Sequence, residues 1–172
     1  TVTDASGCVA TGVISVVDPN YLCNPVTRPW RTESIVTWAA TANGNPNQSG
    51  QYLTNHFAGT FPAGLVVGGG PCGGSKTLTL TNATAVRNFL IGQPNTTSST
   101  LPANLNNPSG GTYQNKLAAQ LVALKLNVSF DAQDPNFAPL TTVSLGNAII
   151  TGMTGSTSIF NGMTVTAFMN EA

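Results

Sequence analysis

Lys76-Thr-Leu-Thr-Leu-Thr-Asn-Ala-Thr-Ala-Val-Arg-Asn-Phe-Leu90 contains the clearest change of periodicity in this chain. Leu78 and Leu80 alternate with threonines, as in a β-strand that has one face in water. From Asn82 onwards the apolar residues follow a helical spacing, and an asparagine side chain is a good helix N-cap. The stretch therefore predicts a strand that leads directly into a helix, whose apolar stripe is Ala85, Val86, Phe89 and Leu90.

On both sides of this stretch the pattern predicts further elements. Val9–Val17 is rich in β-branched residues and ends at a turn sequence, which predicts a strand, and Ser34–Ala40 predicts a second strand buried on both faces. Tyr113–Asp131 fits helical and strand spacing, and its alanines and its length favour a long buried helix. A short closing helix is predicted from near Met163, with Val165, Phe168 and Met169 on one face.

These elements predict an α+β fold. We expect a β-rich, sandwich-like N-terminal part on which two to three helices from the second half are packed. We expect a single extracellular domain over residues 1–172, and its length fits either one compact unit or two subregions, 1–58 and 59–172, that share an interface.

Charged side chains are scarce. Six basic and six acidic residues make up 7% of the chain and leave a formal net charge of zero, whereas about 25% is usual for a globular domain. Packing against copies of itself, a glycan cover, or a surface of hydroxyls and amides would each explain such a surface. Without a cluster of Lys or Arg, nucleic acid is not an expected partner. No apolar run is long enough to predict a membrane span.

The cysteines and the chain start point to an exported protein. Thr1 in place of Met predicts a mature chain whose targeting peptide has been removed. Cys8, Cys23 and Cys72 are not spaced as zinc ligands, so a disulfide is the better interpretation. Cys8 with Cys23 would leave Cys72 for another chain or for a residue beyond position 172, and the other two pairings remain open.

Few residues suggest catalysis or cofactor binding. His56 is the single histidine, and we interpret it as structural because no carboxylate is placed to form a recognisable catalytic arrangement with it. No cofactor is expected. Asp131, Asp134 and Asn136 form a weak calcium candidate, although Asp-Pro-Asn is also a turn sequence, which we favour. Trp30 and Trp38 are candidates for stacking on a glycan, while an aromatic residue in a strand more often belongs to the core.

The second half of the chain also resembles a known kind of module. The stretches Gly59–Gly68, Leu78–Leu90, Ala119–Phe137 and Asn161–Ala172 are similar to a module of secreted, multi-domain surface proteins of the Bacteroidota group of bacteria. The resemblance implies an extracellular, cell-surface location and implies no catalytic residue. It does not extend to the first fifty residues.

Taken together, these features predict a non-enzymatic structural protein that assembles with copies of itself into a surface filament or layer. Val9, Val13, Ile14, Val16 and Val17 are the candidate subunit contacts, because a β-branched segment can add to the sheet edge of a neighbour. The alternative hypothesis is an adhesin or carbohydrate-binding module that uses Trp30 and Trp38 to bind cell-surface glycans.

Overall fold

A computed structural model describes residues 2–3, 9–10, 30–70, 75–93, 98–138 and 143–171. Near the N-terminus, β1 (Val2–Thr3) pairs antiparallel with β2 (Val9–Ala10). The strand that we predicted from Val9 therefore begins as expected. Its remainder, residues 11–17, lies outside the described residues.

A three-stranded sheet with the order β3-β4-β5 is central to the fold. β3 (Leu65–Gly68) runs antiparallel to β4 (Thr77–Leu80), and β5 (Leu105–Asn106) is parallel to β4. One face of β3 and β4 is buried, and it carries Leu65, Val67, Leu78 and Leu80. β3 has a strand neighbour on one side only within the described sheet, so it is an edge strand.

The predicted switch from strand to helix is confirmed. β4 ends at Leu80 and α3 (Ala83–Leu90) follows, with the Asn82 side chain accepting a hydrogen bond from the Ala85 amide. All four residues of the predicted stripe are buried. The predicted helix in Tyr113–Asp131 is also confirmed, as α4 (Lys116–Gln133). This helix packs on β3, and its buried residues include Leu121, Leu126 and Phe130.

The prediction of a β-rich, sandwich-like N-terminal part is wrong. The structure is α+β but rich in helix, with a small three-stranded sheet. α1 (Ile35–Trp38) lies where we expected the strand Ser34–Ala40, and α2 (Ser49–Thr60) lies mostly in the subregion 1–58 that we expected to be β-rich. Ser34 caps α1 by accepting a hydrogen bond from the Thr37 amide. Ile35 and Trp38 then reach the core from one side of a helical turn, and this burial outweighs the β-propensity of the segment.

Aromatic side chains join these helices into one core. The Phe130 ring lies 5.5 Å from the Trp38 ring, 5.2 Å from Tyr52 and 5.8 Å from Phe61, measured between centroids. Phe137, just beyond the end of α4, stacks on Trp38 at 6.2 Å. Contacts of this kind hold α1, α2 and α4 together, because each aromatic residue buries a large apolar area.

The C-terminal part forms a less deeply packed unit. It contains two 3-10 turns (Leu145–Asn147 and Gly155–Phe160) and a final helix, α5 (Val165–Glu171), which starts within two residues of the predicted position. Ile149, before the second 3-10 turn, and Thr164, after it, form an antiparallel bridge. No residue of Gly155–Phe160 or of α5 is buried.

Candidate functional site: an apolar groove

A groove of about 700 Å³ lies where β3, α4 and the C-terminal unit meet. We call it the apolar groove. β3 contributes Val67 and Gly68, and α4 contributes Leu117, Ala118 and Leu121. The C-terminal unit supplies the opposite wall through Ile159, Phe160, Met163 and Phe168.

The polar side of the groove is held in place by a buried hydrogen-bond network. Asn115 caps α4 by accepting from the Ala118 amide, and its side-chain nitrogen donates to the carbonyl oxygen of Ser99 at 2.6 Å. The side-chain oxygen of Gln93 accepts from the Asn115 amide, and its nitrogen donates to the Tyr113 carbonyl at 2.8 Å. Ser99 is thereby fixed beside the start of α4, and residues 98–100 line the groove.

Hydrogen bonds within the C-terminal unit shape the opposite wall. Asn161 accepts from the Met153 amide and donates to the Met153 carbonyl, each at 2.9 Å. The Phe160 and Phe168 rings meet edge to face with 5.0 Å between centroids. Contacts within the C-terminal unit therefore stabilise this wall, although none of its residues is buried.

Large apolar side chains of the groove are exposed to water. Ile159 is 73% exposed and Leu117 is 46% exposed, and burying one such side chain fully is worth about 1.5–3 kcal/mol. Leu117 lies in the segment Tyr113–Asp131, for which we predicted a long buried helix, and its exposure was not foreseen. For the wall formed by the C-terminal unit, the sequence signal was two large apolar residues, Ile159 and Phe160, at the end of a Gly/Ser/Thr-rich turn. The sequence interpretation did not use it.

Glu171 is the acidic residue among those that line the groove, and a cluster of acid/base residues lies elsewhere in the molecule. Tyr52, His56 and Asp134 form a separate cluster in which the Tyr52 hydroxyl donates to the Asp134 carboxylate, and the His56 ring stacks on Tyr52 at 4.1 Å. His56 Nδ1 lies 4.0 Å from the same carboxylate oxygen. None of the three lines the groove.

The cluster connects three parts of the fold. The hydrogen bond from Tyr52 is the main cause that lowers the pKa of Asp134, while burial, followed by the bond to the carboxylate, raises the pKa of Tyr52 far above its ordinary value. The Arg31 guanidinium lies over the rings of Tyr52 and Phe137, at 5.2 and 4.8 Å from their centroids. These contacts join residues 30–33 to α2 and α4, which fits the structural role expected for His56.

The calcium candidates are occupied by protein partners. Asp131 accepts a hydrogen bond from the Leu145 amide, and Asp134 accepts from Tyr52 and from the Asn136 amide. Within the ranges that the structure describes, no group of three His, Cys, Asp or Glu side chains is placed to hold a metal ion. The turn that we favoured for Asp134 and Asn136 is present, and the hydrogen bond from the Asn136 amide to the Asp134 carboxylate is part of it.

The tryptophans occupy different environments. Trp38 is fully buried and its indole N–H donates to Asn127, so it presents no face to a sugar and is removed from the glycan-stacking candidates. Trp30 is partly buried and its indole N–H donates to the Val143 carbonyl at 2.7 Å. Cys8, Cys23, Cys72, Val13, Ile14, Val16 and Val17 lie outside the described residues, and Val9 is described through its backbone pairing alone.

Comparisons with protein-family models, with curated proteins and with solved structures find no match to this chain. Among the helices of the described ranges, none combines the length and the apolar character needed to cross a membrane.

Proposed function

We propose that this chain is a non-enzymatic extracellular structural protein that assembles with copies of itself into a surface filament or layer. In this assembly the apolar groove of one copy receives the N-terminal segment of the next. The observation that carries the proposal is the groove itself, because it exposes a wall of large aliphatic and aromatic side chains and lies apart from the acid/base cluster.

The groove fits an extended apolar segment. Val67 and Gly68 of the edge strand β3 line it, and a strand added at such an edge gains main-chain hydrogen bonds as well as side-chain burial. β2 already pairs with β1 in its own chain. The part of Val9–Val17 that remains to be donated is therefore residues 11–17, in which four of seven residues are Val or Ile.

The charge of the chain favours association. A net charge of zero provides no electrostatic repulsion between copies. The resemblance to secreted surface modules supports an extracellular setting for such an assembly. The alternative function, glycan binding, is not favoured by a specific observation on the described residues, because Trp38 is buried and cannot stack on a sugar.

Two matched substitutions test the groove. Ile159→Asp places a charge on the groove wall, whereas Ile91→Asp places the same charge at another exposed isoleucine, 55% exposed, that does not line the groove. We expect wild-type protein and the Ile91 variant to form large species by sedimentation velocity and ordered assemblies by electron microscopy. The Ile159 variant should remain monomeric with an unchanged circular dichroism spectrum.

Removal of residues 1–17 tests the donor. The truncated chain should not assemble, and it should bind a synthetic peptide of residues 9–17 in its groove. Assembly that survives the truncation would exclude N-terminal strand donation. Wild-type protein that stays monomeric at all concentrations would exclude self-assembly altogether.

A further inference from the structure

The C-terminal unit is held together by backbone hydrogen bonds of its own. The Ile150 amide donates to the Met163 carbonyl, and the Gly162 amide donates to the Ile150 carbonyl, each at 2.9 Å. The Val165 amide donates to the Ala148 carbonyl at 3.0 Å. These bonds lie wholly within the unit, so they do not depend on how the unit sits against α4 and β3.

The attachment of the unit to α4 is strongest at one place. Leu145 and Gly146 are buried, they pack on α4, and the Leu145 amide donates to the Asp131 carboxylate of that helix. We call Leu145 and Gly146 the base of the unit. Farther along the chain burial falls, because no residue of Gly155–Phe160 or of α5 is buried, although α5 also contacts α4.

Two glycines lie where the unit meets the rest of the fold. In the base, a Cβ on Gly146 would lie 3.1 Å from Val128 Cγ1 of α4 and 2.6 Å from Thr166 Oγ1 of α5. Beyond the end of β3, Gly70 approaches the Asn170 carbonyl oxygen so closely that a Cβ would overlap with it. Both approaches require a residue without a side chain. The unit is thus seated at its buried base and, at the end of α5, against the chain that follows β3.

We propose that the C-terminal unit, residues 143–171, moves as one rigid flap that pivots about its base and opens the apolar groove by separating from Gly70. The internal hydrogen bonds keep the flap intact, while its weakly buried outer part leaves α4 and β3. A few residues at the end of an element are sufficient for such a hinge. The flap carries one wall of the groove, so its movement widens the groove. That the open groove admits a segment of a neighbouring copy rests on the proposed function, whereas the movement itself does not.

Gly70→Ala tests the opening. The new Cβ pushes the end of α5 away and should shift the flap towards the open state, whereas the control Gly111→Ala meets a single atom within 4 Å of its Cβ, at 3.8 Å. Hydroxyl-radical footprinting with mass spectrometry compares Met163, which lines the groove, with Met153, which belongs to the same unit but does not line it. The reactivity of Met163 should rise about threefold in Gly70→Ala and stay constant in the control, with Met153 unchanged in both.

Hydrogen exchange distinguishes a pivoting flap from an unfolded one. In Gly70→Ala the amides of Ile150, Gly162 and Val165 should exchange as slowly as in the wild type, and so should the Leu145 amide in the base. Faster exchange at these amides would overturn the rigid flap, and unchanged reactivity of Met163 would overturn the opening.

Two further variants complete the test. A chain that ends at Met169 lacks the Asn170 carbonyl and should raise the reactivity of Met163 in the same way, which keeps the test valid if Gly70→Ala does not fold. Gly146→Ala should accelerate exchange of the Leu145 amide, because the new Cβ displaces the base from Val128. Unchanged exchange of that amide would overturn the pivot.

The flap and the proposed function can fail separately. Footprinting and exchange are measured on dilute, monomeric protein, so they do not require assembly. An opening flap in a protein that never assembles would support the flap and exclude the proposed function. Assembly without any change at Met163 in the two latch variants, Gly70→Ala and the chain ending at Met169, would overturn the flap and leave the proposed function intact.

Discussion

Replacing Asn127 with leucine should destabilise the fold more than any other polar substitution on α4. Asn127 is 5% exposed, and its side-chain oxygen accepts from the Glu33 amide at 2.9 Å and from the Trp38 indole at 3.2 Å. Its side-chain nitrogen donates to the Glu33 carbonyl at 3.0 Å. This one amide therefore attaches both the last residue of α1 and the segment before that helix to α4.

The magnitude follows from these three bonds. Each is worth about 0.5–1.5 kcal/mol net, and a buried donor left without an acceptor costs about 1–3 kcal/mol. Leucine has the same branched shape as asparagine and is not smaller, so it removes the bonds without opening a cavity. We expect Asn127→Leu to lower the free energy of unfolding by about 2–4 kcal/mol, which corresponds to a fall in Tm on the order of 5–15 °C for a chain of this size.

Urea denaturation followed by tryptophan fluorescence measures this loss, since Trp38 reports on the site. Gln120→Leu is the control because Gln120 is an exposed residue of the same helix, and it should change stability by no more than about 0.5 kcal/mol. The m-value should be equal in both variants. A loss below about 1 kcal/mol for Asn127→Leu would refute the argument that this amide connects α1 to α4.

Two further substitutions test other parts of the fold. Tyr52→Phe removes the hydrogen bond that lowers the pKa of Asp134, so wild type should be more stable than the variant by about 1–2 kcal/mol at pH 7. This advantage should disappear as the pH falls below about 4, through the lowered pKa of Asp134, and a pH-independent difference in urea titrations would contradict it. Gly50→Ala should destabilise by more than about 1 kcal/mol, because its Cβ would lie 2.0 Å from the Ala40 carbonyl oxygen. Gly59→Ala in the same helix has no atom within 4 Å of the new Cβ and should stabilise by about 0.5–1 kcal/mol in thermal denaturation; a destabilised Gly59 variant would contradict this.

Local patterns predicted the elements in which a single period is clear. The alternation of Leu78 and Leu80 and the cap at Asn82 were sufficient for β4 and α3, because these signals act within one or two turns of chain. α4 was also foreseen, although its ambiguous spacing had to be decided from alanine content and length. In both cases the burial that stabilises the element agrees with its local preference.

The strand expected at Ser34–Ala40 was wrong because tertiary contacts decide that segment. Val36 and Thr37 favour strand locally, but both face outward in α1, where packing makes no use of them. Ile35 and Trp38 are buried together against aromatic residues from distant parts of the chain, such as Phe130 and Phe137. A local pattern has no information about those partners.

The apolar groove could not be derived from the sequence for a similar reason. Its walls come from β3, α4 and the C-terminal unit, which are far apart in the chain. From the sequence, an apolar residue such as Ile159 resembles a core residue, and only the fold shows that it is 73% exposed. The N-terminal donor, by contrast, was a prediction from composition alone, and it remains a prediction.

The most direct measurement of the central claim is an interchain cross-link within an assembled sample. A photoreactive phenylalanine analogue replaces Ile14 in isotopically light protein, which is mixed with heavy wild-type protein before assembly and irradiation. Mass spectrometry should find light peptides containing position 14 joined to heavy peptides from residues 117–121 or 159–168. Cross-links that stay within one chain, or that join position 14 to other surfaces, would contradict the account.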